Sequence, residues 1–146
     1  MNSNNLRNII LENIVTLFMK VMVIYSFYLL LRGHNNPGGG FIAGIIASTG
    51  FIFYAIIHGT KALQNILKFQ PQLFIASGLS FVFIAAFLPV ITSKEILTGL
   101  WIHTKIPVLG ELHLGTPLIF DTGVFLVVIG VILTIVISIM EVLKWN

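Results

Sequence analysis

Apolar residues fill four long runs in this chain, and polar residues gather only between them. The runs cover about 13–31 (NIVTLFMKVMVIYSFYLLL), 37–57 (PGGGFIAGIIASTGFIFYAII), 72–91 (QLFIASGLSFVFIAAFLPVI) and 117–143 (PLIFDTGVFLVVIGVILTIVISIMEVL). A helix needs about 20 mostly apolar residues to cross a bilayer, so each run is long enough. Alternating ten-residue segments, the mark of a membrane β-barrel, do not occur. The pattern predicts an all-α integral membrane fold with four transmembrane helices, forming one domain over 1–146.

The connections differ in length. The first takes about five residues. The second, HGTKALQNILKFQP, is polar enough for a short amphipathic turn. The third, from about Thr92 to Thr116, is a long loop between the third and fourth spans. In it EILTGLW is expected at the interface, and IHTKIPVLGELHLG reads as two short β-like stretches around Leu109 and Gly110. Trp101 and Trp145 suit headgroup depth. The N-terminus lacks a basic region, short apolar core and small-residue cleavage site, so no cleavable signal is expected and the first run stays as an anchor.

Composition agrees with this class. Of 146 residues 57% are hydrophobic and 9% charged, where soluble domains carry about 25% charged residues. Mean hydropathy is +1.02. No cysteine is present, which excludes disulfides and thiolate chemistry. The net charge of +3 is diffuse, so no nucleic-acid partner is expected, and lipid headgroups account for the positive balance. Four spans put both termini on one side. Arg7, Lys61, Lys68 and Lys144 lie there, against Arg32, Lys94 and Lys105 on the other. That balance places the termini in the cytoplasm.

The start of the second span has its own chemistry. Asn36 is a good N-cap, and Pro37 fits the first helical position. Gly38, Gly39 and Gly40 need a further reason, because each costs a helix about 1 kcal/mol relative to alanine. One reading is close packing: Gly40 and Gly44, like Ala43 and Ala47, are four apart and form a small-residue face. The other is an irregular backbone whose bare N–H groups attract an anion or carboxylate. GGGFIAG lacks the glycine spacing, preceding strand and G-K-[ST] of a nucleotide loop.

Two charged residues fall inside the spans, where each is a functional candidate by default. Lys20 lies about 16 Å before the end of the first span at 1.5 Å per residue. Asn13, Thr16 and Lys20 share a helical face, with Glu12 beside it. Snorkelling to the near interface is the bland alternative. Asp121 lies about 6 Å inside the fourth span, on the side that also holds His34, so a His34–Asp121 contact is allowed. Lys20 and Asp121 differ in depth by about 10 Å and are not expected to meet. For Asp121 the bland reading is a cap or hydrogen bond at a neighbouring helix terminus. His34, His103 and His113 reach one membrane face without metal-ligand spacing, and His58 is expected alone at the interface, so neither metal nor cofactor is expected. No nucleophile–base arrangement or paired carboxylates occur, so an enzyme is not expected.

GHNNPGGGFIAG, residues 33–44, with FDTGV, residues 120–124, resembles the MnhB/MrpB family of small subunits in Mrp-type multisubunit sodium/proton antiporters, and the likeness covers nearly the whole chain. The resemblance implies a small subunit needed for assembly in the cell membrane. Its partners would be the other subunits, including large ones similar to the proton-pumping membrane subunits of respiratory complex I, with sodium and protons as the transported ions. It directs attention to His34, Pro37, Gly38, Gly39, Gly40, Phe41, Phe120, Asp121 and Gly123, with Lys20, Thr16 and Glu12 added by the polar stripe and Gly44 by the small-residue face. Phe41 beside Gly40 is a candidate knob for a neighbour's groove, or else it faces lipid. Two other readings are a purely structural scaffold and a self-sufficient small multidrug transporter. The latter needs an embedded first-span carboxylate, and Glu12 lies at the edge.

Overall fold

A computed structural model describes residues 3–33, 38–106 and 110–143, with side chains described for 7–33, 38–100 and 115–143. Helix α1 runs Ser3–Arg32, α2 Gly40–His58, α3 Thr60–Leu67, α4 Pro71–Ile91 and α5 Thr116–Val142; strands β1 (Trp101–Ile106) and β2 (Gly110–Gly115) separate α4 from α5. Helices α1, α2, α4 and α5 are each long and apolar enough to cross a membrane.

The boundaries follow local chemistry. No glycine or proline interrupts residues 3–32, so α1 extends about ten residues before its apolar run. Helix α2 starts at Gly40, not at the expected Pro37, because Gly39 holds φ 96° and ψ 178°, a left-handed value that glycine tolerates and a helix does not. Asn36 and Pro37, and with them the predicted cap, lie outside the described residues. Helix α3 is the expected amphipathic turn, anchored by the fully buried Leu63. It ends at Lys68 with φ 60°, and Pro71 then opens α4 at the first helical position.

The four spans form a row. Helix α2 packs between α1 and α5, and α5 between α2 and α4, while α1 barely touches α5. Burial follows that order. In the most apolar stretch of each span, 39% of residues are buried for α2 and for α5, against 22% for α1 and 17% for α4. Much of the apolar surface of α1 and α4 is therefore left for lipid or other chains.

Glycine sets the joints of the row. A methyl on Gly123 would lie 2.7 Å from the Gly78 carbonyl oxygen, and one on Gly78 would lie 2.6 Å from that of Gly123. Helices α4 and α5 thus meet backbone to backbone. Further along, Gly130 faces the Pro71 carbonyl and Ile75. Between α2 and α5, Gly44 faces Val128 and the Phe125 carbonyl; between α1 and α2, Gly50 faces Met19 and Met22. Phe18 on Phe53, edge to face at 5.4 Å, closes the rest of the α1–α2 seam. Close backbone approach is how membrane helices gain packing contacts where lipid supplies no hydrophobic drive.

The two β-like stretches form an antiparallel hairpin, with Trp101 opposite Gly115, His103 opposite His113 and Ile106 opposite Gly110. Its base is tied to α5. The Thr116 N–H donates to the Leu100 carbonyl at 3.0 Å, and the Leu100 N–H donates to the buried Thr116 Oγ1 at 3.1 Å. Thr116→Val leaves the half-buried Leu100 N–H unmet and should destabilise the hairpin base by about 1 kcal/mol. Limited proteolysis should then cut within residues 93–100 faster than in wild type, with the spans intact.

Candidate functional site

The site assembles where α1 ends, α2 begins and α5 enters the membrane. The end of α1 meets the start of α2: a methyl on Gly33 would strike the Gly39 backbone. The N–H groups of Gly33 and Gly39 both donate to the Leu29 carbonyl, at 3.0 and 3.3 Å. Each glycine of the triplet has a separate reason. Gly38 lies against the Leu29 carbonyl, with 2.8 Å left for a methyl. Gly39 holds the left-handed backbone and faces the Asp121 carboxylate, whose Oδ2 is 3.4 Å from where a side chain would begin. Gly40 presses on the Asp121 backbone carbonyl. Close packing and irregular backbone therefore occur together, at adjacent residues.

Asp121 is half-buried and brings its carboxylate to the first turn of α2. The leading N–H groups of a helix have no partner within it and carry its positive partial charge. With the Gly39 N–H bonded to Leu29 and Ala43 N–H to the Gly39 carbonyl, the N–H groups of Gly40, Phe41 and Ile42 make up that positive end. Asp121 and the glycine triplet, two separate motifs in the sequence, thus form one junction. Phe120 beside it is 36% exposed, and Phe41 points outward at 60% exposure. Gly123, two residues on and on the other side of α5, is buried against Gly78. His34 and Pro37 lie outside the described residues, and so does the His34–Asp121 contact.

The polar stripe on α1 is elsewhere. Asn13 Nδ2 donates to the Ile9 carbonyl at 3.0 Å and Thr16 Oγ1 to that of Glu12 at 2.7 Å, so both are satisfied within their own helix. Glu12 is exposed. Lys20 is exposed and, among the described residues, has no hydrogen-bond or ion-pair partner. Its neighbour Met19 lies beside Gly50, ten residues into α2 from Gly40, so Lys20 and Asp121 are about 15 Å apart in depth. A charge at that depth costs about 2.5–3.5 kcal/mol on insertion scales.

Sequence reasoning did not anticipate how His58 sits. Its ring stacks on Tyr54 at 4.1 Å and 6°, and its buried Nδ1 has no partner; the i, i+4 spacing of the two was the available signal. Nor did it anticipate an open cleft of about 380 Å³ at the α3–α4 turn, lined by Gln64, Lys68, Gln72, Thr134, Ser138 and Glu141. That cleft lies at the opposite end of α5 from Asp121. Among the described residues no group of three or more His, Asp or Glu gathers as metal ligands do.

The family model described as a domain related to the MnhB subunit of the Na+/H+ antiporter matches residues 10–134. The chain belongs to the MnhB family. Among MnhB relatives, the B-type subunit of the Na+/H+ antiporter of Bacillus subtilis is 32% identical over 141 residues, covering 97% of this chain and 99% of that one. The corresponding Na+/H+ antiporter protein of Alkalihalophilus pseudofirmus is 33% identical over 134 residues, covering 92% and 93%. A solved chain of the Mrp complex from Dietzia is similar in fold, with a TM-score of 0.76 and 30% identity. It aligns with 94% of this MnhB chain, which spans 14% of that larger chain's length. Family and fold together make this a multi-pass membrane protein of a transporter family.

Proposed function

We propose that this chain is the B-type subunit of a multisubunit sodium/proton antiporter in the cell membrane, with its termini in the cytoplasm. It acts as one membrane domain that positions larger transporting subunits. At the junction of Asp121 with Gly39 it contributes a carboxylate to the edge of an ion route. Membership of the MnhB family carries this reading. The row of spans supports it, because a row with so much apolar surface left uncovered suits a piece set among other membrane helices. Neither the family nor the fold favours a self-sufficient small multidrug transporter, whose first-span carboxylate would have to be the exposed Glu12 near the start of α1.

Deleting the chain from the complex tests the reading. Sodium-dependent proton movement in inverted vesicles should fall to background, and the large subunits should no longer co-purify with one another. Supplying the chain in trans should restore both. Antiport that persists at the wild-type rate without it defeats the proposal.

A further inference from the structure

The two edges of the row differ in chemistry. The outer edge of α4 exposes Leu73, Leu79, Phe83, Phe87 and Val90, and no residue from 71 to 91 is charged. Its hydroxyls are bonded to their own helix, Ser77 to the Phe74 carbonyl and Ser80 to that of Ala76. Such an edge suits lipid. The outer face of α1 exposes Leu17, Ile24 and Leu31 at 64–70%, while Phe27 turns its ring toward Phe125 of α5; beside that face stands Lys20, partnerless among the described residues.

Depth decides what that lysine needs. Arg32 lies about 18 Å from Lys20 along the axis, and Glu12, where the apolar run begins, lies about 12 Å on the other side. Its neighbour Met19 contacts Gly50, and α2 runs from Gly40 to His58, so Lys20 is also level with the middle of α2. Half of a hydrocarbon core is about 15 Å, whereas the four-carbon lysine stem reaches about 6 Å. Snorkelling to either headgroup layer therefore falls short. Intramembrane cations pair with carboxylates or backbone carbonyls of neighbouring helices, and the described residues of this chain supply no such group beside Lys20.

We propose that the outer face of α1 around Lys20 docks a membrane-spanning helix of another subunit that carries an aspartate or glutamate at mid-bilayer depth. The proposal rests on the subunit reading above and adds which edge of the row is the protein edge. Leu17 and Ile24 form the apolar surround of the pair, and the α4 edge is left to lipid.

The test uses the whole complex. Lys20→Met should reduce the large subunits co-purified through a tag on this chain at least tenfold, and Lys20→Arg should keep them within twofold of wild type. The chain's own helical melting in detergent should be the same in both variants. A photo-crosslinking residue in place of Ile24 should join a helix bearing an acidic residue within one turn of the adduct, whereas one in place of Phe83 should label lipid. Lys20→Met with wild-type co-purification overturns the proposal. So does an Ile24 adduct confined to lipid or to a helix with no acid near it. If the unmodified chain brings down no large subunits, the subunit reading fails first and the docking proposal with it.

Discussion

Gly123→Leu should separate α4 from α5 and leave little folded chain. Gly123 and Gly78 meet backbone to backbone, with 2.6–2.7 Å available to a methyl on either side. A flexible neighbour could rotate away from an added side chain; a carbonyl fixed in a helix cannot. Overpacking a well-filled site typically costs about 1–3 kcal/mol. With backbone on both sides, Gly123→Ala should fall at the upper end of that range. Gly123→Leu should exceed it, lowering the midpoint of thermal unfolding in detergent by roughly 10 °C or more. Ile135→Ala, on the same helix but 54% exposed, should shift the midpoint far less. Equal shifts for Ile135→Ala and Gly123→Leu would show that the glycine joint does not hold the row together.

Asp121→Ala should have the largest effect on transport with the least effect on folding. The carboxylate is half-buried at the start of α2. As a partner for the positive end of that helix it is worth about 0.3–2 kcal/mol, depending on burial, so its loss should leave the chain inserted and the complex assembled. Sodium-dependent proton movement in inverted vesicles should fall at least tenfold. Asp121→Asn separates charge from shape, because the amide keeps the size and one carbonyl acceptor but loses the negative charge. It should assemble like wild type and transport like Asp121→Ala. Wild-type antiport in Asp121→Asn would leave Asp121 a helix-end partner only and make the subunit a scaffold.

The sequence shows the spans because membrane burial writes itself into composition over 20 residues at a time. All four apolar runs became helices long enough to cross, and the amphipathic turn and the β-like pair between them took their expected forms. The small-residue face of α2 was equally legible, since Gly40, Ala43, Gly44 and Ala47 recur at helical spacing and all are buried. The partnership of Gly78 with Gly123 was not, because an isolated glycine in an apolar run does not name the backbone it touches. The order of helices in the row was hidden for the same reason. Local signals also misplaced the start of α2. Asn36 and Pro37 advertise a helix N-terminus, but the left-handed Gly39, held between Leu29 and Asp121, delays it to Gly40. For Lys20 and Asp121, depth along the helix was enough to expect them apart. What surrounds each of them depends on neighbouring helices, which no spacing rule supplies.

The row has a consequence for how such a piece can be inherited. Helix α1 runs antiparallel to α2, and α2 runs parallel to α5, since Gly38 meets Leu29, Gly50 meets Met19, and Gly40 and Gly44 follow Asp121 and Val128 in the same direction. The beginning of α1 and the end of α5 therefore emerge on one side of the membrane. An even number of spans can be spliced onto another membrane protein without inverting anything downstream of it. A short linker on that one side is enough to turn a separate subunit into a segment of a longer polypeptide. The likeness to a 14% portion of a much larger chain is what such a module would leave behind.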